Sequence, residues 1–164
     1  MKKILNCFGL IIISIIPGII TGVILIMGFC EKIMTIESER ANKNGYIFRK
    51  VCKWLRAEQR RQTIDLKLKE RQISEVAIYG NGEMGKCLIK ELENSNVKIK
   101  YLIDKNSNSD ESSYKCYHPK DLLPEVQAII ITPIYQYAEI APTLKCCGNV
   151  QIISLEELID ELGD

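Results

Sequence analysis

The stretch from Ile4 to Cys30 carries no charged side chain, and no other feature restricts this chain's folding as strongly. Its core, Ile4 to Phe29, is 26 residues long, more than the about 20 apolar residues that cross roughly 30 Å of hydrocarbon as a helix. A cleaved secretory leader has a shorter apolar core and a small-residue cleavage site, and Met27-Gly-Phe-Cys30 fits that poorly. Residues 1–30 are therefore expected to form a membrane anchor, a transmembrane helix. Pro17-Gly18 sits near its middle, where proline removes a backbone donor and glycine loosens the helix. That leaves two geometries open, a kinked single span or a re-entrant hairpin. Lys2 and Lys3 precede the tract, and Lys32, Arg40, Lys43, Arg49 and Lys50 follow it. Positive charge stays on the cytoplasmic side. Either geometry places residue 31 onward in the cytoplasm, at the cell membrane.

The remaining charge is segregated. Residues 40–71 hold 11 Lys and Arg against 3 Asp and Glu, while residues 72–164 hold 8 against 15. The formal net charge of +1 is only the sum of these unlike tracts. The pattern excludes a simple soluble globule and a nucleic-acid binder with a basic folded part, and no nucleic-acid recognition motif accompanies it. Residues 31–73 read as a basic helical connector interrupted near Asn42-Lys-Asn-Gly45, with Ile47, Val51, Trp54 and Leu55 on one helical face. Two roles fit that face. It could lie on anionic lipid, where each cation near the surface contributes about 1 kcal/mol, or dock on the domain that follows. The seven cysteines (Cys7, Cys30, Cys52, Cys87, Cys116, Cys146, Cys147) are odd in number and form no CxxC pair. They read as free thiols of a reducing compartment, with the Cys146-Cys147 pair as helix-packing residues.

From residue 75 a chemistry-bearing pattern begins. The apolar run Glu75-Val-Ala-Ile-Tyr79 leads into Gly80-Asn-Gly-Glu-Met-Gly85, a helical stretch to Glu93, and a second strand, Val97 to Ile103, that ends at Asp104. Asp104 lies 24 residues after the first glycine and 19 after the third. Strand, GxGxxG, helix, strand and acid at about this spacing is the dinucleotide-binding fingerprint. Gly80 would permit the tight turn, Gly82 a close approach of phosphate to backbone amides, and Gly85 close packing of helix on sheet. Asn81 lies within the turn. Asp104 would accept hydrogen bonds from ribose hydroxyls, favouring NAD or a nucleotide sugar over a 2′-phosphorylated cofactor. Against this, all three glycines serve any doubly wound fold, and Glu83 would repel a bound anion from the helix N-terminus.

The alternation continues beyond the motif. Tyr114–Tyr117 reads as a short extended piece, Pro119–Leu123 as a helical turn, and Ala128–Ile131 as a buried parallel strand closed by Thr132-Pro133. Gln136–Cys147 reads as a helix ended by Gly148, Val150–Ile153 as a strand, and Ser154-Leu-Glu-Glu157 as a capping box opening a last helix. The fold class is α/β: a small doubly wound parallel sheet of about four to five strands over residues 74–164. Ligand would bind at the carboxyl ends of the strands, which nominates Gly80, Asp104 and Thr132.

Val76–Gly85, Tyr101-Leu-Ile-Asp-Lys105 and Ala128-Ile-Ile-Ile-Thr-Pro133 together resemble Rossmann-type modules of bacterial surface-polysaccharide proteins. These are nucleotide-sugar epimerases and dehydratases, and the N-terminal domains of certain sugar acyltransferases. The resemblance covers about residues 74–162. It implies a nucleotide or nucleotide sugar held by Gly80, Gly82, Gly85 and Asp104, and a role in envelope glycan assembly with a protein partner or as a homodimer. Epimerases of that kind use a Tyr-x-x-x-Lys pair on a helix. Within the domain, residues 74–164, that spacing occurs only at Tyr101 and Lys105, along a strand and its end. The single histidine, His118, excludes a His-rich metal site and nominates no triad. No metal is expected. The residues thus point to a binding module before an enzyme, with a ligand-free interaction module, and an oxidoreductase or epimerase relative completed by a partner, as the alternatives.

Overall fold

The computed structural model describes residues 2–106, 113–144 and 150–163, without the side chains of residues 2–17 and 19. The chain forms two compact units, Met1–Tyr46 and Ile47–Asp164. Helix α1 runs Lys2–Gln59 through both Pro17-Gly18 and Asn42–Gly45, so the backbone shows neither the hairpin nor the interruption expected there. Proline takes one intrahelical bond, and asparagine and glycine only lower helix propensity; neither breaks the run here. Among the described residues no helix is long and apolar enough to cross a membrane. The side chains of the first half of the uncharged tract lie outside them. Within the described part of that tract, Ile20, Ile24, Leu25, Met27 and Phe29 are all exposed.

The second unit is α/β. After α1 come α2 (Ile64–Glu70), β1 (Glu75–Tyr79), α3 (Glu83–Glu93), β2 (Lys98–Ile103), β3 (Cys116–Tyr117), β4 (Ala128–Ile131), a 3₁₀ turn (Ile134–Gln136), α4 (Tyr137–Leu144), β5 (Gln151–Ser154) and α5 (Leu155–Glu161). The five strands make one sheet in the order β3-β2-β1-β4-β5, every pairing parallel. That order reverses direction between β1 and β4, as doubly wound sheets do. The helix expected from Gln136 opens earlier, as a 3₁₀ turn. The Cys146-Cys147 pair and Gly148 lie outside the described residues. The Pro119–Leu123 segment is not helical; it is turn and loop.

Strand periodicity divides the core into two layers. Val76 and Ile78 face one side with Ile99, Leu102, Ala128 and Ile130, while Ala77 and Tyr79 face the other with Tyr101, Ile103, Ile129 and Ile131. The first side is thickly covered, by Leu88 and Leu92 of α3, Leu155, Leu158 and Ile159 of α5, Ile64 and Leu68 of α2, and Trp54 and Ala57 of α1. Burying each large side chain contributes about 1.5–3 kcal/mol. The docking face of the connector is therefore Trp54 and Ala57, with Val51 38% and Leu55 53% exposed. Of the two roles open to this stretch, the end of α1 fills that of a helix docked on the domain.

The charge segregation also has an internal partner. Lys50 Nζ lies 2.6 Å from Asp160 and 3.2 Å from Glu156, and Lys53 Nζ donates to the Asp160 carbonyl at 3.0 Å. Arg71 bridges Glu157, at 2.7 Å, and Glu161. Ser154 caps α5, accepting from the Glu156 amide at 3.1 Å. Glu157, the other half of the expected capping box, has its carboxylate on Arg71. A third tie is Glu91, whose two oxygens accept from Trp54 Nε1 and from the Ile64 amide, both at 2.6 Å. Ile64 opens α2, so Glu91 caps that helix from another one.

Candidate functional site

The second face of the sheet is covered unevenly. Among the described residues the helix that packs on it is α4, through Ile140, Ala141 and Leu144, and the link from β3 to β4 is a loop instead of a helix. That loop is held down where Tyr101 donates its hydroxyl to the Pro124 carbonyl at 2.7 Å and meets Tyr117 edge-on, ring centroids 5.2 Å apart. What the loop leaves uncovered is a cavity of about 960 Å³. Its lining comes from residues at or just beyond the carboxyl ends of four strands: Tyr79 of β1, Lys105 after β2, His118 after β3, and Gln136 and Glu139 after β4. Leu122, Leu123 and Ile140 give it an apolar wall. Open α/β sheets place ligands at this edge, and 300–1,000 Å³ is the ordinary range for small-molecule sites.

The residues nominated from sequence stand beside this cavity and are tied chiefly to one another. Gly80 has φ +99°, and a Cβ there would come within 2.6 Å of Thr132 Oγ1. The turn therefore requires glycine for both reasons. A Cβ on Gly85 would sit 2.0 Å from the Gly80 carbonyl oxygen, so the third glycine sets how closely α3 approaches the turn. Gly82 is different: a side chain there meets nothing within 4 Å. Thr132 is buried, and its hydroxyl lies 3.0 Å from the Tyr79 carbonyl and 3.2 Å from that of Gly80. It closes the turn from β4. Asp104 accepts from the Asn81 amide at 2.7 Å through one oxygen and from the Asn106 amide at 2.8 Å through the other.

These bonds give Asp104 a role that the fingerprint did not suggest. Its carboxylate staples the glycine turn to the end of β2, with an oxygen on the Asn81 amide. Its field reaches further. Burial, aided by Asp104, pushes the Tyr79 phenol above its ordinary 10.0, and the same two causes raise the Cys116 thiol. Glu83 does not fill the turn, because its side chain is 91% exposed and 3.5 Å from Lys86. Asn81 also borders a smaller hollow of about 320 Å³ with Lys86 and Tyr114.

Sequence reasoning missed Tyr79, Lys105, Lys120 and Glu139, and gave His118 no role in a site. In the structure the His118 amide donates to Asp121 at 2.7 Å, and its Nδ1 accepts from the Lys120 amide at 3.2 Å. That pair of bonds shapes the loop lining the cavity. The signal available was position alone: Tyr79 ends β1, Lys105 lies two residues after β2, and His118 and Lys120 lie one and three after β3, while Glu139 sits on α4. Among the described residues no group of three or more His, Cys, Asp or Glu could hold a metal ion.

Fold and site together define a parallel α/β domain with a cavity at the carboxyl edge of its sheet, consistent with a Rossmann-like arrangement. Compared with known proteins, the chain matches no family model, no curated protein and no solved structure.

Proposed function

We propose that this chain is a membrane-anchored, Rossmann-like module that binds a nucleotide, NAD or a nucleotide sugar, in service of cell-envelope polysaccharide assembly. One observation carries the ligand class: the cavity of about 960 Å³ at the carboxyl ends of β1, β2 and β3, beside a glycine turn of the dinucleotide-binding pattern. The resemblance to surface-polysaccharide modules supplies the pathway. The anchor rests on the uncharged run Ile4–Phe29 and on the exposure of its apolar residues from Ile20 onward. The basic flank nearest the anchor, Lys32 to Lys43, meets anionic lipid headgroups, while the end of α1 is taken up by the domain, and the folded unit lies on the cytoplasmic side.

The test uses the full chain in detergent micelles, titrated with ADP, UDP, NAD and UDP-glucose while its unfolding is followed. A ligand at 100 times its Kd raises stability by about 2.7 kcal/mol. No shift with any of the four refutes the ligand-binding reading. Co-flotation with anionic vesicles and protease protection test the anchor and its orientation.

A second reading, a ligand-free interaction module of the same fold, is favoured by one observation. The turn is already satisfied from within, Asp104 on the Asn81 amide and Thr132 on the Gly80 carbonyl. It predicts no shift with any nucleotide and partner capture that survives Gly82→Val.

A further inference from the structure

Tyr79 is only 5% exposed, lines the large cavity, and its hydroxyl has no hydrogen-bond partner among the described residues. That hydroxyl is open to the cavity, since among the described residues no buried side-chain nitrogen or oxygen lacks a partner. A tyrosine whose ring is packed in the core and whose hydroxyl opens on a cavity can donate to a ligand's acceptor there. Lys105 and Lys120 line the same space and form no ion pair among the described residues. Most of their neighbours do pair: Lys86 with Glu83, Lys90 with Glu93, Lys100 with Glu75. The same cavity is also lined by Glu139 of α4 and by Leu122 and Leu123. Leu122 is 96% exposed, an unusual state for a leucine bordering a cavity.

The glycine turn offers an anion less. The Asn81 amide is already bonded to Asp104, so one carboxylate stands beside the main-chain donors a pyrophosphate would use, while the Glu83 side chain is turned to solvent. Like charge at that distance opposes binding.

We infer that the ligand of this domain is a phosphorylated molecule of mononucleotide size, seated outside the glycine turn. Its phosphate lies on Lys105 and Lys120, an acceptor on the Tyr79 hydroxyl, its sugar hydroxyls on Glu139, and its ring against Leu122 and Leu123. This rests on the nucleotide-binding reading above and moves the anion from main-chain amides to two ammonium groups. The turn then serves to hold Tyr79 and Lys105 in place.

The test is calorimetric titration of the full chain in micelles with UDP and with ADP, at low and high salt. Lys105→Ala combined with Lys120→Ala is expected to weaken binding at least tenfold and to flatten its salt dependence. Tyr79→Phe should weaken it severalfold with little change in melting temperature. Gly82→Val, whose side chain meets open space, should leave it unchanged. If UDP or ADP binds but the double lysine variant binds as the wild type does, while Gly82→Val abolishes binding, the inference is overturned and the nucleotide reading stands. If neither nucleotide binds the wild-type chain, both fall. Inorganic phosphate as competitor separates the phosphate contact from the ring: equal loss of affinity for phosphate and UDP in the double variant locates the effect on the anion.

Discussion

Asp104→Ala separates the two roles a strand-end acid can play in this motif. In the structure its carboxylate accepts from two backbone amides, Asn81 at 2.7 Å and Asn106 at 2.8 Å. A hydrogen bond to a charged group contributes about 1.5–3 kcal/mol. Asp104 is only partly buried, so water recovers some of that, and the lower end applies to each bond. The expected loss is about 2–4 kcal/mol. For a unit of this size that lowers the melting temperature by roughly 8–16 °C, taking about 4 °C per kcal/mol. Urea denaturation of the full chain in micelles, monitored by Trp54 fluorescence, measures it. A second readout is independent of stability. Removing the Asp104 charge takes away one of the two causes that raise the Tyr79 phenol, so its pKa falls but stays above 10.0, since burial remains. NMR titration of ring-labelled tyrosine follows this. A loss below about 0.5 kcal/mol, the size of an ordinary surface substitution, would refute the staple, and an unmoved Tyr79 would refute the electrostatic link.

Three further outcomes follow from the same geometry. Gly85→Ala puts a methyl group 2.0 Å from a backbone oxygen and should cost about 3 kcal/mol or more by forcing α3 off the sheet, at or above the usual overpacking range; Gly82→Ala, in open space, should stay within about 1 kcal/mol in chemical denaturation. Burial holds the Glu91 carboxyl above its ordinary 4.5 against its bonds from Ile64 and Trp54, so the folded state binds that proton more tightly than the unfolded one. Its stabilising contribution is fully present below the unfolded value and is lost as pH rises through the folded one; relative to Glu91→Gln, the wild type should gain stability on acidification across that window, and the opposite slope would reverse the assignment. Arg71→Ala should cost about 1 kcal/mol by loss of the Glu157 and Glu161 pairs, an effect that shrinks in 1 M salt because the groups are partly exposed.

Much of the fold was legible because the relevant signals are local. Gly80 and Gly85 are forced by a positive φ and by the approach of a helix to a carbonyl, and such demands leave the same residues wherever the turn occurs. The Ala128–Ile131 run is buried on both faces, which is why it is continuously apolar. The strand Cys116–Tyr117 is too short to show a period, yet its neighbours mark it. The connector was harder to read. Ile47, Val51, Trp54 and Leu55 suggest one face, but Trp54 and Ala57 are what the domain buries, because Glu91 receives the indole N–H and draws the helix round. The unbroken path of α1 through Asn42–Gly45 was hidden for a similar reason: weak propensity is a small term beside helical continuity. The site was only half visible. Asp104 was nominated, but its partner, the Asn81 amide, is a backbone group that no side-chain pattern announces. The cavity residues Lys105, His118, Lys120 and Glu139 come from two separate loops and a helix, and nothing periodic connects them.

The last turns of α1 are part of the sheet's covering layer, and this bears on how the molecule can be shortened. A fragment beginning after residue 73 would keep all five strands and the whole cavity. It would nevertheless uncover the surface that Trp54, Ala57, Ile64 and Leu68 occupy, and strip the carboxylates of the final helix of Lys50 and Arg71. Such a fragment would be sticky and acidic, prone to self-association through the bared patch. A faithful excision starts no later than Ile47, and carries a piece of the basic rod with it.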